Sequence, residues 1–235
     1  METSEPTEER TRPRRGVAFY LGLALVLTGL GLLGYVGWQF YGTNIVAQQT
    51  QQRVIADLRQ EWRASGSTSP DDDPAAKSDV KLGNASALLR IPRFGDDYVI
   101  PVLEGIGDDE LSSGYGHFPD TADPGEKGNY ALAAHRVTHG EPLRDMPKLR
   151  PGDEVVVETR DTIYTYALDT NPNDLVVTFE DIWVIDPLPT NPVEGGVQPA
   201  QEPGQELITL TTCSELFHTD NRMIAFGHLV DTEKK

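Results

Sequence analysis

The single cysteine of the chain, Cys213, lies in LITLTTCSELFHTDNRMIAF (207–226), and Arg222 follows nine positions later. A cysteine attacks a carbonyl as its thiolate, whereas a free thiol with a pKa of about 8.5 is mostly protonated at neutral pH. A nucleophile in a chain of net charge −17 therefore needs a specific positive group beside it. If Cys213 ends one strand and Arg222 begins the next, both side chains lie at one rim, joined by the loop SELFHTDN. The spacing is compatible with a cysteine nucleophile assisted by an arginine.

Five histidines are candidates for the acid or base that such chemistry needs. His135 has the strongest case, because it closes the apolar run NYALAAH and precedes the loop sequence RVTHGEP. Catalytic residues commonly lie where a rigid element passes into a loop. The others have weaker positions: His117, His139, His218 and His228. A lone cysteine is also often an inert buried hydrophobe, so the residue pattern alone leaves both interpretations of Cys213 open.

Short β-branched and aromatic stretches, separated by Gly, Pro, Asn or Asp, fill the chain from about Ala87 onward. The run from Ala131 to Ala134 is apolar on both alternations, which indicates an inner strand. A hairpin is predicted to turn at Arg160-Asp161, and EPLRDMPKL (141–149) predicts a short helical turn. An antiparallel or mixed β-barrel of about 150 residues is expected. The predicted strands are ALLRIPRFG, YVIPVLEG, NYALAAH, DEVVVET, IYTYALDT, LVVTFED, IWVIDP, ELITLTTC and RMIAFGHLV.

Residues 16–40 contain no charge, and a helix from Val17 to Trp38 would span roughly 33 Å, the thickness of a bilayer's hydrocarbon core. The apolar part of a cleaved signal peptide is only about 7–15 residues long, so an uncleaved signal-anchor is predicted. Arginines precede it at positions 10, 12, 14 and 15. By the positive-inside rule the N-terminus is cytoplasmic, and the rest of this single-pass protein lies outside the cell membrane.

The predicted organisation has five parts. A cytoplasmic tail (1–15) and the transmembrane signal-anchor (16–40) come first. A juxtamembrane helix (41–64) follows, in which Ile55, Leu58 and Trp62 recur at helical spacing. A flexible linker (65–86), rich in Ser, Pro and Asp, leads to the extracytoplasmic catalytic domain (87–235).

Composition excludes several classes of function. The net charge of −17 argues against nucleic acid as a partner, because phosphates would be repelled. One cysteine cannot form an internal disulfide. The sequence has no Asp-x-Asp-x-Asp-Gly calcium loop, and neither a metal site nor a cofactor is predicted.

TLTTC followed nine residues later by arginine resembles the signature of the sortases, membrane-anchored cysteine transpeptidases of Gram-positive bacteria. The block GHFPDTADPGEKGNYALAAHRVTHGEPLRDMPKLRPGDEVVVET (116–159) is similar to the class E subgroup of actinobacteria. In that subgroup a Gly-His-(Phe/Tyr)-Pro-x-Thr-Ala stretch, a strand ending in His-Arg and a hairpin occur in this order. The resemblance covers roughly residues 87–230. It departs at Ala134, where the family often has glycine, and at CSELFH, which lacks a common His-Pro pair.

This resemblance implies a mainly β fold, a sortase-like closed barrel of about eight strands with short helices, preceded by an N-terminal transmembrane helix. It carries the family's nucleophile onto Cys213, its histidine onto His135 and its arginine onto Arg222. Thr211 and Thr212 fall on positions that line the family's active site and are expected to contact substrate.

The activity implied is cleavage of a C-terminal sorting signal between Thr and Gly, with the Thr carboxyl then joined to a cell-wall precursor amine. The signal is LPxTG-like, with LAxTG expected. Implied partners are surface proteins bearing that signal, a lipid II-like peptidoglycan precursor and the membrane. Alternatives are another cell-wall cysteine peptidase or transpeptidase, and a non-catalytic membrane-tethered β-domain.

Overall fold

A computed structural model describes residues 16–38, 42–65, 84–214 and 220–235. The predicted cytoplasmic tail, nearly all of the predicted linker and part of the loop after Cys213, with His218, lie outside these ranges. The chain divides into two compact units, Met1–Gln39 and Phe40–Lys235.

The first unit consists of helix α1, Val17–Gly37. Its 21 residues carry no charge and none of them is buried. At about 1.5 Å per residue its length matches the hydrocarbon core of a bilayer. In the described part of the chain it is the one helix long and apolar enough to cross a membrane, in agreement with the predicted anchor.

The second unit begins with helix α2, Thr43–Ser65, in the segment where a juxtamembrane helix is predicted. No glycine or proline interrupts it, and it buries an apolar stripe at helical spacing. Ile55 and Leu58 pack against Leu88 of the first strand, and Trp62 adds to the same cluster. Helix α2 is therefore packed on the β domain.

The β domain is a closed barrel of eight strands with a ninth strand attached to it. The sheet order is β6-β5-β1-β2-β3-β4-β8-β9, pairing of β6 with β9 closes the barrel, and β7 pairs with the start of β9. The β2–β3 and β4–β8 pairs are parallel, and the other pairs are antiparallel. The strands are β1 Ala85–Arg90, β2 Ile100–Glu104, β3 Tyr115–His117, β4 Gly128–Ala133, β5 Glu154–Glu158, β6 Thr162–Leu168, β7 Val176–Thr178, β8 Glu206–Cys213 and β9 Asn221–Lys234. Helix α3, Asp108–Ser113, is the short helix between β2 and β3. The predicted mainly β barrel is confirmed.

Two local predictions were wrong or incomplete. IWVIDP forms a 3-10 turn, Ile182–Ile185, rather than a strand. The Val184 carbonyl accepts a hydrogen bond from Asn129 Nδ2 at 3.1 Å and lies 3.2 Å from the Thr209 hydroxyl, which shares its proton with Asn129 Oδ1. The Val184 side chain packs in the cluster around Phe226. The carbonyl is thus satisfied by side chains, so this apolar stretch needs no strand partner. Strand β3 was missed, since three residues with a central glycine give little periodic signal.

Other local predictions were correct. The β5–β6 hairpin pairs Glu158 with Ile163 and turns through Arg160-Asp161. EPLRDMPKL contains a 3-10 turn, Met146–Lys148. Strand β4 is an inner strand between β3 and β8, with four consecutive buried residues.

Candidate active site

Cys213 and Arg222 are direct partners in the antiparallel β8–β9 pair. Residues opposite each other in such a pair project from the same face, with Cβ atoms about 4.5–5.5 Å apart. Both residues are half-buried, and Arg222 Nη1 donates to the Asn221 carbonyl at 3.0 Å. Strand β7 places Val177 on the other side of Arg222. The structure thus brings together the predicted cysteine and arginine.

The parallel pairing of β4 with β8 positions His135. Ala133 is level with Thr211, and the Ala134 N–H donates to the Thr211 carbonyl at 3.1 Å. Continuing this offset by two residues puts the half-buried His135 level with Cys213. Because β4 and β8 run parallel, the chain leaves β4 towards His135 at the same rim of the barrel where β8 ends at Cys213.

Arg136, the residue after His135, holds the end of β8 through hydrogen bonds. Its Nη1 donates to the Cys213 carbonyl at 3.4 Å and, in a short contact, to the Ser214 carbonyl. The guanidinium also places a fixed positive charge beside the end of β8. Arg136 occurs in the predicted His-Arg motif, but its contacts span 77 and 78 residues, and no sequence pattern encodes that separation.

Thr211 and Thr212 are both buried. The Thr212 hydroxyl donates to the Ala134 carbonyl at 2.7 Å, so in this structure it joins the two strand ends. Contact of either threonine with substrate stays a prediction.

A second histidine lies against His135. The rings of His135 and His139 have centroids 4.6 Å apart and planes inclined by 32°. Burial lowers the pKa of His139, although the nearby Asp108 carboxylate acts in the opposite direction. Sequence reasoning gave His139 low weight; its position four residues after His135, in a loop containing Gly140, is the only sequence signal for it.

The remaining described histidines lie in other hydrogen-bonded settings. His228 lies in the middle of β9, and its Nδ1 is 2.7 Å from Asp169 Oδ1. His117, Glu104 and Asp123 present ligand-type atoms within 4.8 Å of one another. However, His117 Nδ1 is 2.8 Å from the Glu104 carboxylate and its Nε2 is 3.1 Å from the Ala122 carbonyl. Thr121 Oγ1 is also 3.0 Å from Nε2, so protein polar groups lie against both ring nitrogens, and the group fixes the turn after β3.

Residues 89–230 match the Sortase domain family model, which is more than half of the chain. The chain belongs to the sortase family. The sequence is 36% identical over 219 residues to Sortase SrtE1 of Streptomyces coelicolor. The aligned region covers 90% of this chain and 56% of SrtE1. It is 30% identical over 236 residues to Sortase SrtE2 of the same organism, covering 96% of this chain and 88% of the relative. This sortase therefore spans little more than half the length of SrtE1.

Solved class E sortases share this fold. The structure of sortase E from Streptomyces avermitilis superposes with a TM-score of 0.56 at 41% identity, covering 65% of this chain and 91% of that one. Sortase E1 from Streptomyces coelicolor, solved with a tripeptide in the active site, superposes with a TM-score of 0.55 at 36% identity and with the same coverage of both chains. The matches agree with the class E similarity of the 116–159 block.

Proposed function

We propose that this sortase is a cysteine transpeptidase that cleaves a sorting signal between Thr and Gly and transfers the Thr acyl group to an amine of a cell-wall precursor. The observation that supports this most is the cross-strand pairing of Cys213 with Arg222, at the rim of the barrel where the chain leaves β4 towards His135. We place its anchor in the cell membrane, with the N-terminus cytoplasmic and the barrel outside.

In the first half-reaction the Cys213 thiolate attacks the Thr carbonyl carbon and the carbonyl oxygen becomes an oxyanion. Arg222 donates hydrogen bonds to that oxyanion, and its positive charge opposes the unfavourable field of a chain of net charge −17. His135 gives a proton to the glycine nitrogen as the C–N bond breaks, which leaves a thioester on Cys213.

In the second half-reaction His135 takes a proton from the incoming amine, whose nitrogen attacks the thioester carbon. Collapse of the second tetrahedral intermediate forms the new amide and releases the thiolate. Water in place of the amine would give hydrolysis, so the acceptor's access to the thioester decides between transpeptidase and peptidase.

An exposed apolar surface follows β7, the strand that pairs with Arg222, and suits the apolar part of such a signal. Phe179 and Ile182 are 57% and 69% exposed, although both are large hydrophobic residues. The Phe179 N–H donates to the Asp220 carbonyl at 2.8 Å, which fixes this residue at the start of β9. We assign this surface to the Leu and the Ala or Pro of an LAxTG or LPxTG signal, with LAxTG preferred.

The test uses the full chain in detergent or nanodiscs, incubated with both peptides and a small amine, with products identified by mass spectrometry. A Thr-amide ligation product is expected from wild type. The product should be absent from Cys213→Ala and His135→Ala. His228→Ala, which removes the histidine hydrogen-bonded to Asp169 in the middle of β9, should retain it. Ligation by Cys213→Ala would refute the mechanism, and hydrolysis without ligation would favour the peptidase alternative.

A further inference from the structure

Two polar side chains of α2 hold the loop that follows His135. Asn44 accepts a hydrogen bond from the Gly140 N–H at 3.0 Å and donates its own to Glu141 Oε1 at 2.7 Å. Gln51 is only 3% exposed, and its Nε2 is 3.5 Å from the His139 carbonyl. Positions 44 and 51 are seven residues apart and lie on the same side of the helix. The buried Gln51 amide and the Asn44 amide, which makes two hydrogen bonds, thus both face the short loop after His135.

The loop adopts a backbone that needs such support. His139, Gly140 and Glu141 have φ values of +54°, +81° and +53°. A left-handed conformation is unfavourable for a non-glycine residue, and it persists only where the surroundings determine it. A Cβ on Gly140 would lie 2.8 Å from Gln51 Nε2, so the helix and the loop backbone are in direct contact. The strained turn and α2 therefore form one packed unit.

The turn presents the His139 ring to His135. The centroid distance of 4.6 Å and the inclination of 32° describe an offset ring contact. The Leu143 N–H donates to the His135 carbonyl at 3.0 Å, which fixes the other side of the loop. The Asp108 carboxylate of α3 interacts with the His139 imidazole, and Glu141 belongs to the same turn.

We propose that α2 is a positioning element of the active site: through Asn44 and Gln51 it fixes the 138–141 turn, and the His139 ring of that turn sets the orientation of the His135 imidazole. The inference rests on the proposed role of His135 as acid and base. His139 is a positioning residue, which acts on the chemistry through His135. The helix that follows the membrane anchor is thereby part of the catalytic apparatus.

A pair of substitutions at His139 distinguishes the effect of its ring from the effect of its backbone conformation. His139→Asn keeps a residue that tolerates the left-handed conformation but removes the ring, whereas His139→Phe restores a ring face. We expect His139→Asn to lower kcat about 10-fold, with KM for the sorting peptide changed by less than about twofold. His139→Phe should recover most of the loss. Equal loss in both variants, or wild-type kcat in His139→Asn, would overturn the proposal.

The helix is tested by Asn44→Ala and Gln51→Ala, with Gln49→Ala as the matched control on the exposed side of α2. The first two should lower kcat in the same sense as His139→Asn, and Gln49→Ala should not. Combining Asn44→Ala with His139→Asn should cost little more than His139→Asn alone, because both act through one ring contact. Fully additive losses would show that α2 acts by another route.

A substrate-free measurement keeps this inference distinct from the proposed function. Ring ¹⁵N and ¹H resonances of the full chain in nanodiscs, assigned with His135→Gln, report the His135 environment directly. The His135 ring shifts and titration midpoint should change in His139→Asn and Asn44→Ala but not in Gln49→Ala. Unchanged His135 signals would overturn the positioning role. If ligation is absent from wild type but these shifts appear, only the proposed function fails.

Discussion

The Thr212 hydroxyl donates to the Ala134 carbonyl at 2.7 Å, so the residue before Cys213 is bonded to the residue before His135. Both partners are buried, and the bond joins the parallel strands β4 and β8 at their C-terminal ends. A buried hydrogen bond at this point limits how far the two strand ends can separate.

Thr212→Val keeps the shape of the side chain and removes the donor. We expect a loss of unfolding free energy of about 1–2 kcal/mol, together with a lower kcat from less constrained strand ends. Thr209→Val is the control, because Thr209 lies on the same strand and donates to Asn129 Oδ1 at 2.8 Å, away from the edge. It should lose similar stability in denaturant titrations and keep its kcat; equal loss of kcat in both variants would contradict the role assigned to Thr212.

Arg222→Lys retains a positive charge but not the planar set of donors. We expect kcat/KM for ligation to fall about 100-fold or more, with an unchanged unfolding midpoint. Arg160→Lys, on the exposed β5–β6 turn, should keep its activity. An Arg222→Lys enzyme as active as wild type would exclude the oxyanion role.

Tyr130→Phe should stabilise the barrel. The Tyr130 hydroxyl is buried, and no described residue accepts or donates a hydrogen bond to it. Its removal is expected to raise the unfolding free energy by about 1 kcal/mol at neutral pH. In Tyr98→Phe the opposite sign is expected, since the Tyr98 hydroxyl donates to the Pro142 carbonyl at 2.7 Å. Chemical denaturation of both variants gives the comparison, and destabilisation by Tyr130→Phe would contradict this account.

Alkaline pH should enlarge the Tyr130 effect. Burial is the main reason that the pKa of Tyr130 is raised, with the carboxylates of Glu104 and Asp123 adding to it. The unfolded phenol loses its proton near about pH 10, whereas the folded one keeps it. Stability contributed by the neutral group is therefore present below pH 10 and lost as the pH rises above it. Denaturation at neutral pH and about pH 10.5 should show a larger advantage of Tyr130→Phe at the higher pH; an equal advantage would argue against burial as the cause.

The single cysteine provides a test of membrane orientation without an engineered reporter. Cys213 is half-buried, so a maleimide can reach it from the side on which the barrel lies. We expect a membrane-impermeant maleimide to label the full chain in intact cells and to leave Cys213→Ser unlabelled. Labelling only by a permeant maleimide would place the barrel on the cytoplasmic side.

Local sequence patterns predicted most strands of the barrel and the meeting of Cys213 with Arg222. The long strands β8 and β9 have strong β-branched and apolar signals, and the short loop between them predicts that Cys213 and Arg222 meet. IWVIDP failed because a short apolar run fits a strand and a buried turn equally well, and Asn129 and Thr209, which satisfy Val184, are distant in sequence.

The second histidine and the support from α2 were beyond sequence reasoning for a different reason. Asn44 and Gln51 look like ordinary polar residues of a solvated helix, and they meet the His139 turn only across 88 to 97 residues. The left-handed backbone at His139 and Glu141 is likewise imposed by packing, since neither residue type requires it.

Strand β9 serves three neighbours along its 14 residues: β8 and β7 near its beginning and β6 towards its end. Its pairing with β6 closes the barrel, and its pairing with β8 sets Arg222 opposite Cys213. Until it docks, the barrel stays open and the cysteine on β8 has no arginine opposite it. Barrel closure and assembly of the reactive pair thus depend on the same strand, which couples the integrity of the barrel to the presence of the reactive site.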